Sequence, residues 1–254
     1  VDFIVQLGDF CQPRESNRDF LNIFESFPGP AYHVLGNHDM DGGFTREQTK
    51  QYLGLESGFY SFDLRGFHFI VLDGNDRTDP PQEGYARYIG PEQREWLRVD
   101  LATTRLPVII FSHQSLSDTA CVENSAEVRD ILENHNERGG KVIACINGHS
   151  HFDGARRVGG IWYIHVNSMS YQWLGEKYPY QRYSEEIHRQ YPYLQYTAPY
   201  RDSLYALFDI DSSGIIKIEG IESEWVGPSP WTLGVPFQQT EMVVPRIARR
   251  RLEF

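Results

Sequence analysis

Five short runs of apolar and β-branched residues recur through the first 150 residues, and helix-like stretches separate them. The runs have the composition of strands buried on both faces, and they cover residues 3–7, 31–35, 67–72, 108–111 and 142–146. The helix-like stretches cover residues 15–27, 45–52, 91–102 and 124–138. This alternation predicts an α/β core with parallel neighbouring strands.

The second half of the chain has a different pattern. Residues 161–166, 203–210 and 215–220 have strand composition, and 211–214 form a plausible hairpin turn. We therefore expect two packed sheets flanked by helices. No linker interrupts the chain, so the prediction is a single domain over residues 1–254, with 225–254 as a C-terminal extension.

Nine of the 15 tyrosines lie between Tyr171 and Tyr205. Such an aromatic segment is not typical of disorder, and long loops in compact domains are usually either functional or disordered. Two interpretations stay open for residues 171–202: a Tyr-rich insertion packed on the body, or a cap that offers Tyr171 and Trp173 to a substrate.

The net charge of −11 argues against a nucleic-acid polymer as partner, because sequence-independent binding needs clustered Lys and Arg. An anionic small substrate is compatible with this charge if metal cations dominate the local field. No apolar run reaches the ~20 residues of a membrane span. The composition is that of a soluble protein without a visible signal peptide, and the cellular location and oligomeric state are not indicated.

Four of the predicted strands are followed immediately by residues of types that bind metals. The carboxyl ends of neighbouring parallel strands meet at one edge of a sheet, where ligands bind. A single Gly-Asp or a single His after a strand is common. Burying several imidazoles is costly unless they have partners, so the full set of motifs is unusual. Imidazole and carboxylate donors suit divalent Zn, Fe or Mn. The motifs are Gly8-Asp9, Gly36-Asn37-His38-Asp39, Ser112-His113 and Gly148-His149-Ser150-His151.

As a set, these motifs resemble the calcineurin-like metallophosphoesterase superfamily, most of all its branch of cyclic-nucleotide phosphodiesterases and glycerophosphodiesterases. The resemblance covers roughly residues 1–220 and includes the stretch Glu92-Gln93-Arg94-Glu95-Trp96-Leu97. It implies a metallophosphoesterase-type two-sheet β-sandwich flanked by helices. It also implies two divalent ions (Mn, Fe or Zn). Asp9 would bridge them, with Asn37, His113 and His149 on the second ion and His151 on the first.

By the same resemblance, His38 is not a ligand but lies beside the leaving-group oxygen, as electrostatic stabiliser or general acid. The implied activity is hydrolysis of a small phosphodiester or phosphomonoester by a metal-bridging hydroxide, with His38 assisting departure of the leaving group. The alternative is a catalytically impaired metal-binding or scaffold module of the same fold.

Two departures from the family pattern matter. The Asp-x-His motif, which usually precedes Gly-Asp on a first strand, does not occur in this chain. We therefore expect a fold that lacks this strand, one firmly bound ion here, and a natural protein extended at its N-terminus that binds two. In addition, Gln12 stands where the family often has an acid that orients the catalytic histidine.

Overall fold

A computed structural model of the chain describes residues 1–81, 83–117, 122–237 and 242–254. These residues form two compact units. The first comprises Val1–His149 and Arg156–Ile164, and the second Ser150–Ala155 and His165–Phe254. The predicted single domain with its cap and extension stays a prediction, and residues 238–241 of that extension lie outside the described residues. No helix in the described part of the chain is long and apolar enough to cross a bilayer.

The largest sheet has six strands in the order β3-β4-β5-β6-β8-β7. Strand β4 pairs antiparallel with β3 and parallel with β5, and β5 pairs parallel with β6. A separate pair of parallel strands, β1 (Ile4–Gln6) and β2 (Ala31–His33), precedes it in the chain. The strands of the large sheet are β3 (Tyr60–Leu64), β4 (Phe67–Leu72), β5 (Val108–Ser112), β6 (Val142–Asn147), β7 (Gly154–Val158) and β8 (Ile161–His165).

Three of the four α-helices of the first unit begin close to a start signal in the sequence. Thr45 caps α2 in a capping box with Gln48, and Pro91 occupies the first turn of α3. Helix α4 begins after Asn124 and ends before Gly139. The helices are α1 (Arg18–Glu25), α2 (Arg46–Tyr52), α3 (Pro91–Thr103) and α4 (Ser125–Glu137), and a 3-10 turn, Glu15–Asn17, precedes α1.

The central sheet is covered on both faces, which explains why β4, β5 and β6 are buried at every position and mostly apolar. On one face, Ile70 of β4 belongs to a core cluster with Leu97 of α3 and Leu132 of α4, and all three are fully buried. On the other face, the Phe3 ring next to β1 makes edge contacts with Phe69 and other rings of the sheet. Each fully buried side chain of this size contributes about 1.5–3 kcal/mol.

The second unit contains two small sheets and one helix. Strands β9 (Tyr171–Trp173) and β10 (Thr197–Pro199) are antiparallel, with α5 (Glu185–Gln190) between them in the chain. Strands β11 (Leu207–Asp211), β12 (Ile215–Glu219) and β13 (Arg250–Glu253) form an antiparallel sheet. The C-terminal residues thus supply a paired strand of this unit.

The predicted fold class is confirmed: the chain is a mixed α/β protein with a large central sheet, flanking helices and additional sheets. The predicted strands and helices are present, mostly within one to three residues of their predicted ends. The strands outside the central sheet are distributed over three smaller sheets. Strands β3, β7, β9, β10 and β13 and helix α5 were not predicted.

His68 is buried in the central sheet between two carboxylates. Its Nδ1 lies 2.6 Å from Asp63 Oδ1, and its Nε2 lies 2.8 Å from Asp100 Oδ2. Burial opposes a charge on the ring, but the hydrogen bonds and charges of Asp100 and Asp63 outweigh burial and raise the pKa of His68. A histidine whose pKa is higher in the folded state stabilises the fold most when it is protonated.

We expect His68→Gln to lower the free energy of unfolding by about 1.5–3 kcal/mol near pH 6, the value of hydrogen bonds to a charged group. The difference from wild type should be full below the unfolded pKa of about 6.5 and shrink as pH rises through the folded pKa. Urea unfolding from pH 5.5 to 9 measures it. His135→Gln is the control, because burial lowers the pKa of His135 and reverses the slope. Equal slopes for both variants would contradict this account.

Candidate metal centre

Four predicted ligands meet at one point of the first unit, although they come from four separate loops. His113 Nε2 is the centre of the group. It lies 3.1 Å from Asp9 Oδ2, 3.2 Å from Asn37 Oδ1 and 3.1 Å from His149 Nδ1. The ligand atoms of Asp9, His113 and His149 all lie within 4.8 Å of one another. The four loops follow β1, β2, β5 and β6, as the sequence predicts.

This set of donors fits a divalent metal ion. Nitrogen and oxygen atoms bound to one ion at about 2.0–2.2 Å are neighbours at roughly 3 Å from each other, which is the separation found here. Two imidazoles, a carboxylate and an amide oxygen are also the donor types that Mn, Fe and Zn accept. Four atoms that can each offer a lone pair thus lie close together, which a cation between them would stabilise.

A backbone carbonyl fixes which nitrogen of His113 is available. His113 Nδ1 donates to the carbonyl oxygen of Leu7 at 2.7 Å. With its proton on Nδ1, the neutral ring presents the lone pair of Nε2 to the other donors. Such a partner behind a ligating histidine sets its tautomer and its ring orientation. Leu7 directly follows β1, so the same strand positions both Asp9 and the partner of His113.

The electrostatics of the pair favour an ionised Asp9 beside a protonated His113 when no cation is bound. Burial opposes the charge on Asp9, but the charge and hydrogen bond of His113 and the amide of His38 lower the pKa of Asp9 well below its ordinary value. Burial likewise opposes a charge on His113, and Asp9 raises the pKa of His113. A metal ion must displace this proton, so metal affinity should fall at low pH.

The backbone is strained at the ligand positions. Among the described residues, four other than glycine have positive φ, and three of them are predicted ligands: Asp9 (52°), His149 (62°) and His151 (52°). Left-handed backbone in a residue with a side chain costs about 1–3 kcal/mol and persists where the surrounding structure or function requires it.

Two glycines allow the loops after β1 and β2 to approach closely. Gly8 has φ of 92°, and a Cβ there would overlap the ring of His113. A Cβ on Gly36 would overlap the backbone nitrogen of Asp9. Only glycine permits this contact, so both residues are needed to place Asp9 beside His113.

The side chain of Asp39 links the loop after β1 to the loop after β2. Its side chain is fully buried and accepts hydrogen bonds from the amides of Gly36 (2.8 Å) and Cys11 (3.1 Å). Burial and the nearby charge of Asp9 raise the pKa of Asp39 to about 7. The last residue of the Gly-Asn-His-Asp motif is therefore a structural link between the ligand loops, a role that the sequence did not assign.

His38 lies beside the cluster with its ring accessible. Its amide donates to Asp9 Oδ1 at 2.8 Å, and its side chain is 48% exposed. The ring does not depend on Gln12, whose amide instead donates to the His38 carbonyl oxygen at 3.5 Å. The ring nitrogen Nδ1 lies 2.7 Å from Asp41 Oδ2. The carboxylate that contacts this ring therefore comes from the turn that carries His38 and not from position 12.

The other predicted site residues belong to the second unit. The ring of His151 makes an edge contact with Tyr171, with centroids 5.1 Å apart. Trp173 is 42% exposed and contacts Tyr196 at 6.0 Å. The structure therefore brings His151 and Tyr171 together, and it places Trp173 against a different ring. Their roles as metal ligand and substrate contacts stay predictions.

Replacing His149 by asparagine should separate metal binding from stability. Asparagine tolerates left-handed backbone better than most residues, so we expect the metal-free variant to be as stable as wild type or up to about 1 kcal/mol more stable. Its stabilisation by added Mn²⁺ should be lost. Urea unfolding with and without Mn²⁺ measures both effects, and His135→Asn, on helix α4, is the control. Loss of several kcal/mol in the metal-free variant would refute the strain at His149.

The family comparison agrees with this geometry. The family model described as calcineurin-like phosphoesterase matches residues 1–153, more than half of the chain. The chain belongs to this family. The matched region contains Asp9, Asn37, His113, His149 and His151.

The chain is similar to several known proteins. A manganese-dependent ADP-ribose/CDP-alcohol diphosphatase of Arabidopsis thaliana is 24% identical over 61% of this chain and 66% of its own. A probable cyclic nucleotide phosphodiesterase of Xenorhabdus bovienii is 23% identical, and the match covers 68% of this chain and 70% of that relative. Among solved structures, GAP50, the anchor in the inner membrane complex of Plasmodium, is 16% identical with a TM-score of 0.47. That match covers 67% of this chain and 63% of GAP50. The chain thus spans about two thirds of the length of these proteins.

Proposed function

We propose that this calcineurin-like phosphoesterase hydrolyses a phosphoric ester or anhydride of nucleotide type with the help of divalent metal ions, of which Mn²⁺ is the expected one. The observation that carries the proposal is the convergence of Asp9, Asn37 and His149 on His113 Nε2 at 3.1–3.2 Å. These donors could hold a metal ion, and each follows the carboxyl end of a strand, where α/β proteins bind their ligands.

The bound ions would withdraw charge from the phosphoryl oxygens and lower the pKa of a water molecule. The chain's own residues supply the rest. Asp9, Asn37, His113 and His149 would hold the cation, and the Leu7 carbonyl would keep His113 in the required tautomer. The family resemblance also implies a further ion, with His151 as one of its ligands, and this is part of the proposal.

His38 acts on the leaving group. Its amide is fixed on Asp9 while its ring is half exposed, so the ring can contact a substrate held at the metal centre. An imidazole in this position donates a hydrogen bond, or a proton, to the leaving-group oxygen as the bond to phosphorus breaks. General acids of this kind contribute about 10²–10⁴-fold to the rate.

The names of the relatives support the substrate class. One acts on ADP-ribose and CDP-alcohols with manganese, and another is a probable cyclic nucleotide phosphodiesterase. Both substrate types join a nucleotide phosphorus to an oxygen that departs on hydrolysis. Tyr171 and Trp173 stay the predicted residues for stacking on the base.

The test is an assay of metal-stripped protein with and without Mn²⁺, using ADP-ribose, CDP-choline, cyclic AMP and bis(4-nitrophenyl) phosphate. We expect Mn²⁺-dependent cleavage of at least one nucleotide substrate, with loss of activity in Asp9→Asn. His188→Asn is the control, because His188 is a histidine of helix α5 outside the cluster. Firm binding of Mn²⁺ without cleavage of any of these substrates would favour the scaffold alternative.

A further inference from the structure

The catalytic candidate His38 is held by a side chain that the sequence did not select. Asp41 lies three residues after His38, across the 3-10 turn His38–Met40. Its Oδ2 is 2.7 Å from His38 Nδ1. A carboxylate accepts hydrogen bonds, so Nδ1 carries the proton and Nε2 is the ring atom that points away from Asp41.

Asp41 is itself held in place. The Tyr85 hydroxyl donates to Asp41 Oδ1 at 3.1 Å, so each carboxylate oxygen has a partner of its own. The Tyr85 ring also meets the His38 ring edge to face, with centroids 4.5 Å apart. Tyr85 therefore touches both the histidine and its carboxylate.

This second partner is needed because the pair is not buried. The side chains of His38 and Asp41 are 48% and 39% exposed, and an isolated exposed ion pair holds its geometry weakly against water. A tyrosine ring packed on the histidine and a hydroxyl on the carboxylate remove much of that freedom. The three side chains come from residues 38–41 and from a separate loop at residue 85, so their contact is a tertiary arrangement.

We propose that Asp41, braced by Tyr85, is the positioning residue that orients the imidazole of His38 for leaving-group departure. This inference rests on the proposed function of His38. Asp41 and Tyr85 both contact the ring of His38, which is not one of the proposed metal ligands, so their removal should change turnover and not metal content.

The test compares Asp41→Asn and Asp41→Ala with His38→Ala and with the double variant His38→Ala/Asp41→Ala. The substrates are bis(4-nitrophenyl) phosphate and diphenyl phosphate, which differ in the leaving ability of the departing phenol. The charge control is Glu47→Gln, since Glu47 is 73% exposed and pairs with Lys50.

We expect Asp41→Ala to lower kcat for diphenyl phosphate by about 10–100-fold, the usual effect of losing a partner that orients a functional histidine. The 4-nitrophenyl ester, which needs less assistance, should lose less than about 5-fold. KM and bound Mn²⁺ should stay at the wild-type level. Tyr85→Phe should show a smaller loss in the same direction, and Glu47→Gln none.

The double variant decides between a positioning and a general structural role. If Asp41 acts through His38, the double variant is no slower than His38→Ala alone. Additive losses would overturn the inference, as would an Asp41→Ala variant with unchanged kcat. If His38→Ala itself is silent on both esters, the proposed role of His38 fails instead, and the two failures are distinguishable.

A spectroscopic measurement gives an independent answer. A histidine Nδ1 proton bound to a carboxylate resonates far downfield and is observed when its exchange with water is slowed, as at low temperature. We expect such a signal for His38 in the Zn²⁺-loaded full chain, its loss in Asp41→Ala, and its retention in Glu47→Gln. A His38 signal that is unchanged in Asp41→Ala would overturn the assignment.

Discussion

Replacing His113 by alanine is expected to reduce the affinity for Mn²⁺ by at least about 100-fold and to abolish phosphoesterase activity. The reason is its central position, because His113 Nε2 lies 3.1–3.2 Å from donor atoms of Asp9, Asn37 and His149. Even partners behind a ligating histidine are worth about 10–100-fold in metal affinity, and the ligand itself is worth more. Isothermal titration with Mn²⁺ measures the affinity.

The matched control for this variant is His135→Ala, which removes an imidazole from helix α4 and leaves the cluster intact. Circular dichroism of both proteins establishes that the fold persists. Mn²⁺ affinity that stays at the wild-type level in His113→Ala would mean that the ion, if any, binds elsewhere.

The His38→Ala variant is expected to behave in the opposite way. It should bind Mn²⁺ as wild type does, because the ring of His38 contacts Asp41 and Tyr85. Its kcat should fall by about 10²–10⁴-fold, since the leaving group loses its proton or hydrogen-bond donor. Metal analysis and steady-state kinetics on the same preparation measure the two effects.

Loss of metal from His38→Ala would show that a ligand had been taken for the catalytic group. His188→Ala serves as the comparison for a histidine outside the cluster. The contrast between His113 and His38, one affecting metal binding and the other turnover, is the largest difference that the geometry predicts for two histidines.

The inner strands of the sheet could be predicted because they are buried on both faces. Strand β4 matches its predicted range, 67–72, since no polar residue other than His68 interrupts it. The strands that were missed are short or exposed. Strand β3 is followed by a tight Arg65-Gly66 turn, which is not among the common hairpin sequences, and β13 buries only Leu252 among charged neighbours.

The metal ligands of the first unit could be predicted for a different reason. Parallel strands carry the residues that follow them to one edge of a sheet, and the sequence on this basis predicts that Asp9, Asn37, His113 and His149 meet. In the structure they meet although β1 and β2 form a sheet separate from that of β5 and β6. What the sequence could not give are contacts made by backbone and by turns. The Leu7 carbonyl has no sequence signal, and the pairing of His38 with Asp41 depends on the 3-10 turn that starts at His38.

Anomalous X-ray scattering from crystals grown with Mn²⁺ tests the central claim most directly. The account predicts an anomalous peak about 2.0–2.3 Å from Asp9 Oδ2, Asn37 Oδ1, His113 Nε2 and His149 Nδ1. Data collected on both sides of the Mn absorption edge identify the element. An Mn²⁺ peak bound only by other residues, or no peak at saturating Mn²⁺, would contradict the assignment of this cluster as the metal centre.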